Sequence, residues 1–439
     1  MYQFFPRMTL AVLLLTVSTI LMAGGTGEPE DRTENASSPQ SASRGTTDGL
    51  PNQPPVPRSQ LPAEFLDQSP PGRAPEEFTT DFSRATISYA DILSGGPPKG
   101  GIPALDRPRF VSIQEAETWI DAREPVLVVE AAVAARAIER RGGSDTPAIQ
   151  EPDDPSAVHV YPLQILTWHE IVNDTVGGVP VAVTFCPLCN TGIAFSRRLA
   201  GSTLSFNTTG RLRFSNLIMF DRETESWWQQ ASGEGLAGFF AGTRLTMVPV
   251  LMLPFGDVAQ QWPEARVLPQ NTGFDRAYGT NPYVGYDSSD RPFLLRGAPA
   301  LGAEGSGESQ LLDRVVSIEL NGETSSVPYS VLQRERLVAT EVNGQEIVVL
   351  WEAGTASALD TPQIRDGADV GSANAFFART LEGRSVMLTA QGGAIVDSDT
   401  GSRWNAAGLS VAGPLEGHRL EPAPGVQHFW FSHAALVAR

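Results

Sequence analysis

The sequence predicts a β-rich α+β fold of two tandem, sequence-related antiparallel β units with short helices. Two observations carry that prediction. The first is an internal repeat. Phe220-Asp221-Arg222-Glu223-Thr224-Glu225-Ser226-Trp227-Trp228 leads to Ala237-Gly238 and then Gly242-Thr243-Arg244-Leu245. Val396-Asp397-Ser398-Asp399-Thr400-Gly401-Ser402-Arg403-Trp404 leads to Ala412-Gly413 and then Gly417-His418-Arg419-Leu420, with spacing matched within one residue. Upstream, Phe195, Arg197, Leu199 and Gly201 correspond to Phe377, Arg379, Leu381 and Gly383, and the run 181–185 to the run 347–351. The second observation is patterning: each copy sets apolar or alternating strands against Gly- or Asp-centred turns, as antiparallel hairpins do. The paired units run over about residues 158–250 and 325–425.

From the N-terminus, Arg7 precedes an uncharged, mostly apolar run from Thr9 to Met22, followed by Ala23-Gly24-Gly25. A membrane-spanning helix needs ~20 apolar residues, so residues 1–23 fit a secretory signal with a small-residue cleavage site, or else an N-terminal anchor. The location expected is extracytoplasmic: periplasmic, secreted, or held to a membrane through this segment. Residues 24–80 are rich in Pro, Ser and Thr and read as a disordered linker, with packed sequence beginning near Phe82. The first β-rich unit spans 81–255, a Tyr- and Gly-rich connection 256–310, and the second unit, without cysteines, 311–439. Within the first, Ile113 to Ile120 reads as a short helix and Val126 to Val129 as a buried strand; residues 140–156 are polar and read as a surface insertion.

Leu163, Leu166, Ile171 and Val172 have helical spacing after Pro162, which suits a helix start, so His169 and Asn173 are expected on one helical face. Gly177-Gly178 then turns the chain into a strand ending at Cys186. Both cysteines of the 439-residue chain lie in Cys186-Pro187-Leu188-Cys189-Asn190-Thr191-Gly192, and Ile193 to Arg197 reads as a returning strand. As a staple such a pair closes a loop worth only ~2 kcal/mol. Strand, turn, strand is the form of a metal knuckle, whereas thioredoxin-like pairs open a helix. The first reading is a soft-metal site for copper, as Cu(I), or zinc, held by Cys186 and Cys189 with His169 as a third ligand. A thiol–disulfide pair with Cys186 attacking, and an inert turn, are the alternatives. A non-catalytic binding scaffold is a further reading.

Asn190, Asp174, Arg222, Trp228 and Tyr283 are the other candidates for a ligand-facing surface, the last from the segment Phe274 to Asp287. His428 and His433 are five apart, and on one strand they would point to opposite faces. No phosphate-binding Gly loop, G-x-S-x-G, H-E-x-x-H or EF-hand loop occurs, so no nucleotide cofactor is expected. The net charge of −18 argues against nucleic acid and anionic membrane surfaces as partners.

Several stretches together resemble the domain-of-unknown-function family 3179. They are Gly95-Gly96-Pro97-Pro98-Lys99 with Gly101-Ile102-Pro103-Ala104, Tyr161 to Leu166, Trp168 to Asp174, Cys186 to Asn190, Asp221 to Trp228 and Asn281 to Asp287. The likeness covers about residues 81–439. It implies membership and the paired motifs, and no activity.

Overall fold

Short β-branched and aliphatic runs separated by tight turns dictate hairpins, and hairpins dominate. The computed structural model describes residues 50–141, 154, 157–296 and 310–437. Among these are 28 strands in several sheets and only short helices, so the β-rich expectation holds. Pairing is antiparallel except that Arg266–Val267 runs parallel to Val158–Pro162, and Leu105–Asp106 parallel to Ile171–Val176. The proposed leader, residues 24–49 and most of the polar insertion lie outside the described residues. No helix among the described residues is long and apolar enough to cross a membrane.

The apolar run after Pro125 forms the strand Pro125–Glu130, buried along its length between Leu251–Pro254 and Val158–Pro162. The helix expected at Ile113 is shorter than its pattern, covering Ile113–Ala116 with Ser112 capping the amide of Glu115.

Helix Leu163–His169 starts after Pro162 as expected, but it ends at Glu170, whose φ of 58° is left-handed. Asn173 therefore lies on the strand Ile171–Val176 and not on a helical face with His169. Ile171, Val172, Thr175 and Val176 are β-branched, and pairing with Val179–Cys186 across Gly177-Gly178 outweighs their helical spacing. Gly177 has φ 52°, and a Cβ there would come within 2.1 Å of the Asp154 carbonyl oxygen.

A second passage has the same local order. Pro328 precedes the seven-residue helix Tyr329–Glu335, Arg336 ends it with φ 62°, and strands Leu337–Val342 and Gln345–Glu352 pair across Asn343-Gly344. Two Asp-Thr-Ser turns also match. Thr224 donates backbone N–H and hydroxyl to Asp221, and its hydroxyl meets Ser226 at 2.7 Å. Thr400 does the same with Asp397 and meets Ser402 at 2.8 Å.

Residues 50–80, the described part of the expected linker, are more often exposed than buried, but a few of their side chains are anchored. Leu61, Ala74 and Phe78 are buried, and the Phe78 ring meets Phe220 and Trp227 edge-on at 5.3 and 5.1 Å. Apolar residues are sparse there, and composition does not reveal that these three are buried.

Candidate functional site

The cysteines are delivered by a five-stranded sheet in the order Met247–Val248, Thr191–Ser196, Val179–Cys186, Ile171–Val176, Leu105–Asp106. Cys186 ends its strand opposite Thr191, a single 3-10 turn covers Pro187–Cys189, and Asn190 (φ 51°) reverses the chain. Asparagine tolerates that left-handed conformation better than most residues. The sulfurs lie 3.5 Å apart as free thiols, with 1% and 0% of Cys186 and Cys189 exposed. Their surroundings are apolar: Phe195, Met219, Trp228 and Phe429 belong to the same buried cluster.

A hairpin of the adjoining sheet closes over the pair. Its turn residues, Phe214 and Ser215, both have positive φ, 49° and 66°. That geometry brings the Ser215 carbonyl oxygen to 3.3 Å from Cys189 Sγ and 3.9 Å from Cys186 Sγ. Asn216 donates its amide to Cys189 Sγ at 3.3 Å and to Gln230 Oε1 at 2.8 Å. Gln230 in turn donates to Thr184 Oγ1 and the Thr191 carbonyl at 2.9 and 3.0 Å. Side-chain amides thus tie the hairpin to both strands that flank the cysteine turn.

This setting makes the thiols unequal. Burial pushes the Cys186 thiol up, but its bond with Cys189 and the amides of Leu217, Cys189 and Leu188 outweigh burial and hold it below the ordinary thiol value. Burial and the neighbouring Cys186 push Cys189 well above it. The more acidic sulfur is therefore the first of the motif.

Beside the pair is a cavity of about 340 Å³, lined among others by Ile102, Glu170, Leu188, Leu217, Tyr283 and Tyr286. Tyr286 donates to the Leu188 carbonyl at 2.9 Å, so the loop between the cysteines forms part of the wall. Glu170 is 7% exposed, and among the described residues its carboxyl has no hydrogen-bond partner. Burial, with the charge of Cys186 added, raises it well above the usual carboxylate range. The Tyr- and Gly-rich connection does border a cavity, through Tyr283 and Tyr286.

The remaining candidates are dispersed. His169 is buried; its Nδ1 faces the Pro103 carbonyl at 2.8 Å and its Nε2 the Tyr278 hydroxyl at 2.6 Å, so both ring nitrogens are engaged. Asp174 accepts from Tyr161 and His159 at 2.7 Å each. Trp228 is fully buried and donates to Asp221 at 2.9 Å, while Arg222 pairs with Asp106 at 2.8 Å. Among the described residues no three His, Cys, Asp or Glu side chains gather in a way that could hold a metal ion.

His428 and His433 do converge, against expectation, because the strand ends at Phe429 and a helical segment starts at Trp430. Ser317 Oγ meets His428 Nε2 at 2.5 Å and His433 Nδ1 at 2.7 Å. Sequence reasoning missed Glu170, Ser215, Asn216 and Ser317 as site or network residues, whereas Gln230 belongs to the polar–aromatic run after Asp221 that the sequence marks as able to face a ligand. Glu170 stood inside a quoted motif; the turn at Phe214-Ser215 carries no Gly or Asn to announce it.

Fold and site together define a β-rich protein with a buried vicinal thiol pair beside an apolar cavity. Residues 153–438 match the family model described as Protein of unknown function (DUF3179), and the chain belongs to that family. Neither a curated protein nor a solved structure matches it.

Proposed function

We propose that Cys186 and Cys189 act as an oxidisable dithiol in an exported protein. The observation that carries this reading is the 3.5 Å sulfur separation combined with opposite displacement of the two thiol acidities. Oxidation needs the sulfurs to close to ~2.05 Å. The acidic Cys186 supplies the thiolate; Cys189 loses its proton as the bond forms. Two electrons and two protons pass to an external acceptor, a small disulfide or a quinone, which leaves as two thiols or a hydroquinone. Burial of both sulfurs favours a small acceptor entering beside Leu188 over a protein partner.

Soft-metal binding is the second reading. Two thiolates on one tetrahedral zinc stand roughly 3.8 Å apart at the usual Zn–S length, close to the 3.5 Å found. The engaged nitrogens of His169 favour a low-coordinate ion such as Cu(I) if a metal is held.

Export rests on Arg7 and the run Thr9 to Met22; the mass of the mature N-terminus tests it. The division into two related units, the second serving as scaffold, rests on the repeat and on the matched helix–hairpin and Asp-Thr-Ser turns.

The test of function is one preparation, purified without a metal-affinity tag and compared with Cys186→Ser/Cys189→Ser. Thiols are counted across a glutathione redox series, and metal is measured by mass spectrometry. Reversible loss of two thiols per chain supports the dithiol. Near-stoichiometric copper or zinc, absent from the double variant, replaces it with the metal site. Neither result removes both and leaves a binding scaffold.

A further inference from the structure

A second cavity, of about 420 Å³, has no connection to the cysteine chemistry and a different character. Four of its lining residues are arginines: Arg140, Arg141, Arg244 and Arg379. The chain around them carries a net charge of −18, so such a concentration of positive charge is not a by-product of composition. Its size falls within the range of small-molecule sites, roughly 300–1,000 Å³.

The charges do not cancel locally. Arg244 pairs with Glu319, and Arg140 and Arg379 share the single carboxylate of Glu421. Arg141 donates to the Leu245 carbonyl at 3.2 Å and has no ion pair of its own among the described residues; the carboxylate that acts on it, Glu319, is paired with Arg244. Four guanidiniums thus face two carboxylates, an excess of two positive charges. Ion pairs that only stitch a fold together would need one arginine per acid. Like-charge pressure is felt: after burial, Arg379 and Arg136 depress Arg140 with Glu139 opposing them, and Arg244 depresses Arg141 with Glu319 opposing it.

The walls hold this charge in place without a ligand. The guanidiniums of Arg140 and Arg379 lie over the Phe377 ring at 5.2 and 4.3 Å, and Arg379 donates to Gln345 at 3.1 Å. Asn321 and Asn343 sit at two hairpin tips, both with positive φ, where Asn-Gly turns are rigid. Preorganised guanidiniums with surplus charge suit planar, multiply charged oxyanions.

We infer that the cavity lined by Arg140, Arg141, Arg244 and Arg379 binds a small polyanion, a phosphate ester or a polycarboxylate carrying at least two negative charges.

Calorimetry on the purified chain tests this with pyrophosphate, citrate, inorganic phosphate and acetate at low and physiological ionic strength. Pyrophosphate or citrate is expected to bind about tenfold or more tighter than acetate, and more weakly as salt rises. Which of the two binds better separates phosphate from carboxylate ligands. Arg141→Gln removes a charge with no ion pair of its own among the described residues, and about a tenfold loss is expected. Asn343→Asp places a carboxylate on the wall while keeping a residue that tolerates the turn, and a similar loss is expected. Arg73→Gln, away from the cavity, serves as control and leaves affinity unchanged. Equal binding of all four anions, or affinity untouched in both cavity variants, overturns the inference.

Discussion

Asn216 donates its side-chain amide to the sulfur of Cys189 across 3.3 Å, a side-chain link between the covering hairpin and the thiols. The same side chain accepts from Gln229 at 2.6 Å and from the Ala231 amide at 3.1 Å. Asn216→Ala therefore orphans a buried glutamine donor, a backbone N–H and the Gln230 oxygen at once. Each buried orphan costs about 1–3 kcal/mol, and partial rearrangement brings the expected loss to about 2–4 kcal/mol. Urea unfolding of the reduced protein measures it. A loss below about 1 kcal/mol would mean that water or Gln230 replaces the amide and that the network does not hold the turn.

Glu170 makes stability fall with rising pH. Its native carboxyl titrates well above the ordinary value, so the folded state keeps a proton that the unfolded state gives up. The stabilisation is complete below the unfolded value near ~4.3 and is lost as pH climbs through the raised folded value. Glu124, pushed up to about 7 by burial, acts with the same sign and remains in any Glu170 variant. Glu170→Gln is expected to flatten the decline, gaining on wild type as pH rises from the unfolded value toward the raised folded one. Urea midpoints across that range decide it, and parallel profiles would show that Glu170 is charged in the fold.

The two histidines on Ser317 work in the opposite direction. Burial lowers His433 to about 4 and His428 well below the ordinary imidazole value, so both are neutral in the fold. A depressed native value contributes stability above the unfolded value near ~6.5 that is lost as pH falls through the folded one. Acid unfolding monitored by circular dichroism should steepen between about pH 6.5 and pH 4. His433→Gln should remove up to roughly 3 kcal/mol of that slope. An unchanged acid limb in the variant would place the titrating group elsewhere.

How far these features could be read in advance depended on whether local chain chemistry carried them. The strand leading to Cys186 and the turn behind it were legible, because apolar residues and Gly177-Gly178 specify a hairpin without help from the rest of the molecule. The extent of the helix before it was not. Ile171 and Val172 satisfy both a 3.6-residue and an extended pattern, and only the partner strand decides between them. His433 was misplaced for a related reason: the switch from strand to helix at Trp430 is made by tertiary packing around Phe431, which is fully buried. The covering hairpin was invisible because Phe214 and Ser215 are held at positive φ by their surroundings, against their own preference. The arginines of that cavity come from three segments far apart in sequence, and no spacing rule joins them.

The matched turns give a direct test of local equivalence between the two halves. In each, a threonine hydroxyl joins an aspartate to a serine, and that serine accepts a backbone N–H: Phe240 donates to Ser226 at 3.0 Å and Leu415 to Ser402 at 2.9 Å. The neighbouring tryptophans differ, since Trp228 donates to Asp221 whereas Trp404 Nε1 is buried without a partner among the described residues. Valine keeps the shape of threonine and removes only the hydroxyl. Thr224→Val and Thr400→Val should each cost about 1–2 kcal/mol. Because the turns share no partner, the double variant should cost the sum within about 0.5 kcal/mol. If one substitution is costly and the other neutral, the turns are alike in form but not in energetic role, and Trp228 is the first difference to exchange. If the losses match but the double variant falls well short of their sum, the two turns report one shared unfolding unit that a single substitution already weakens.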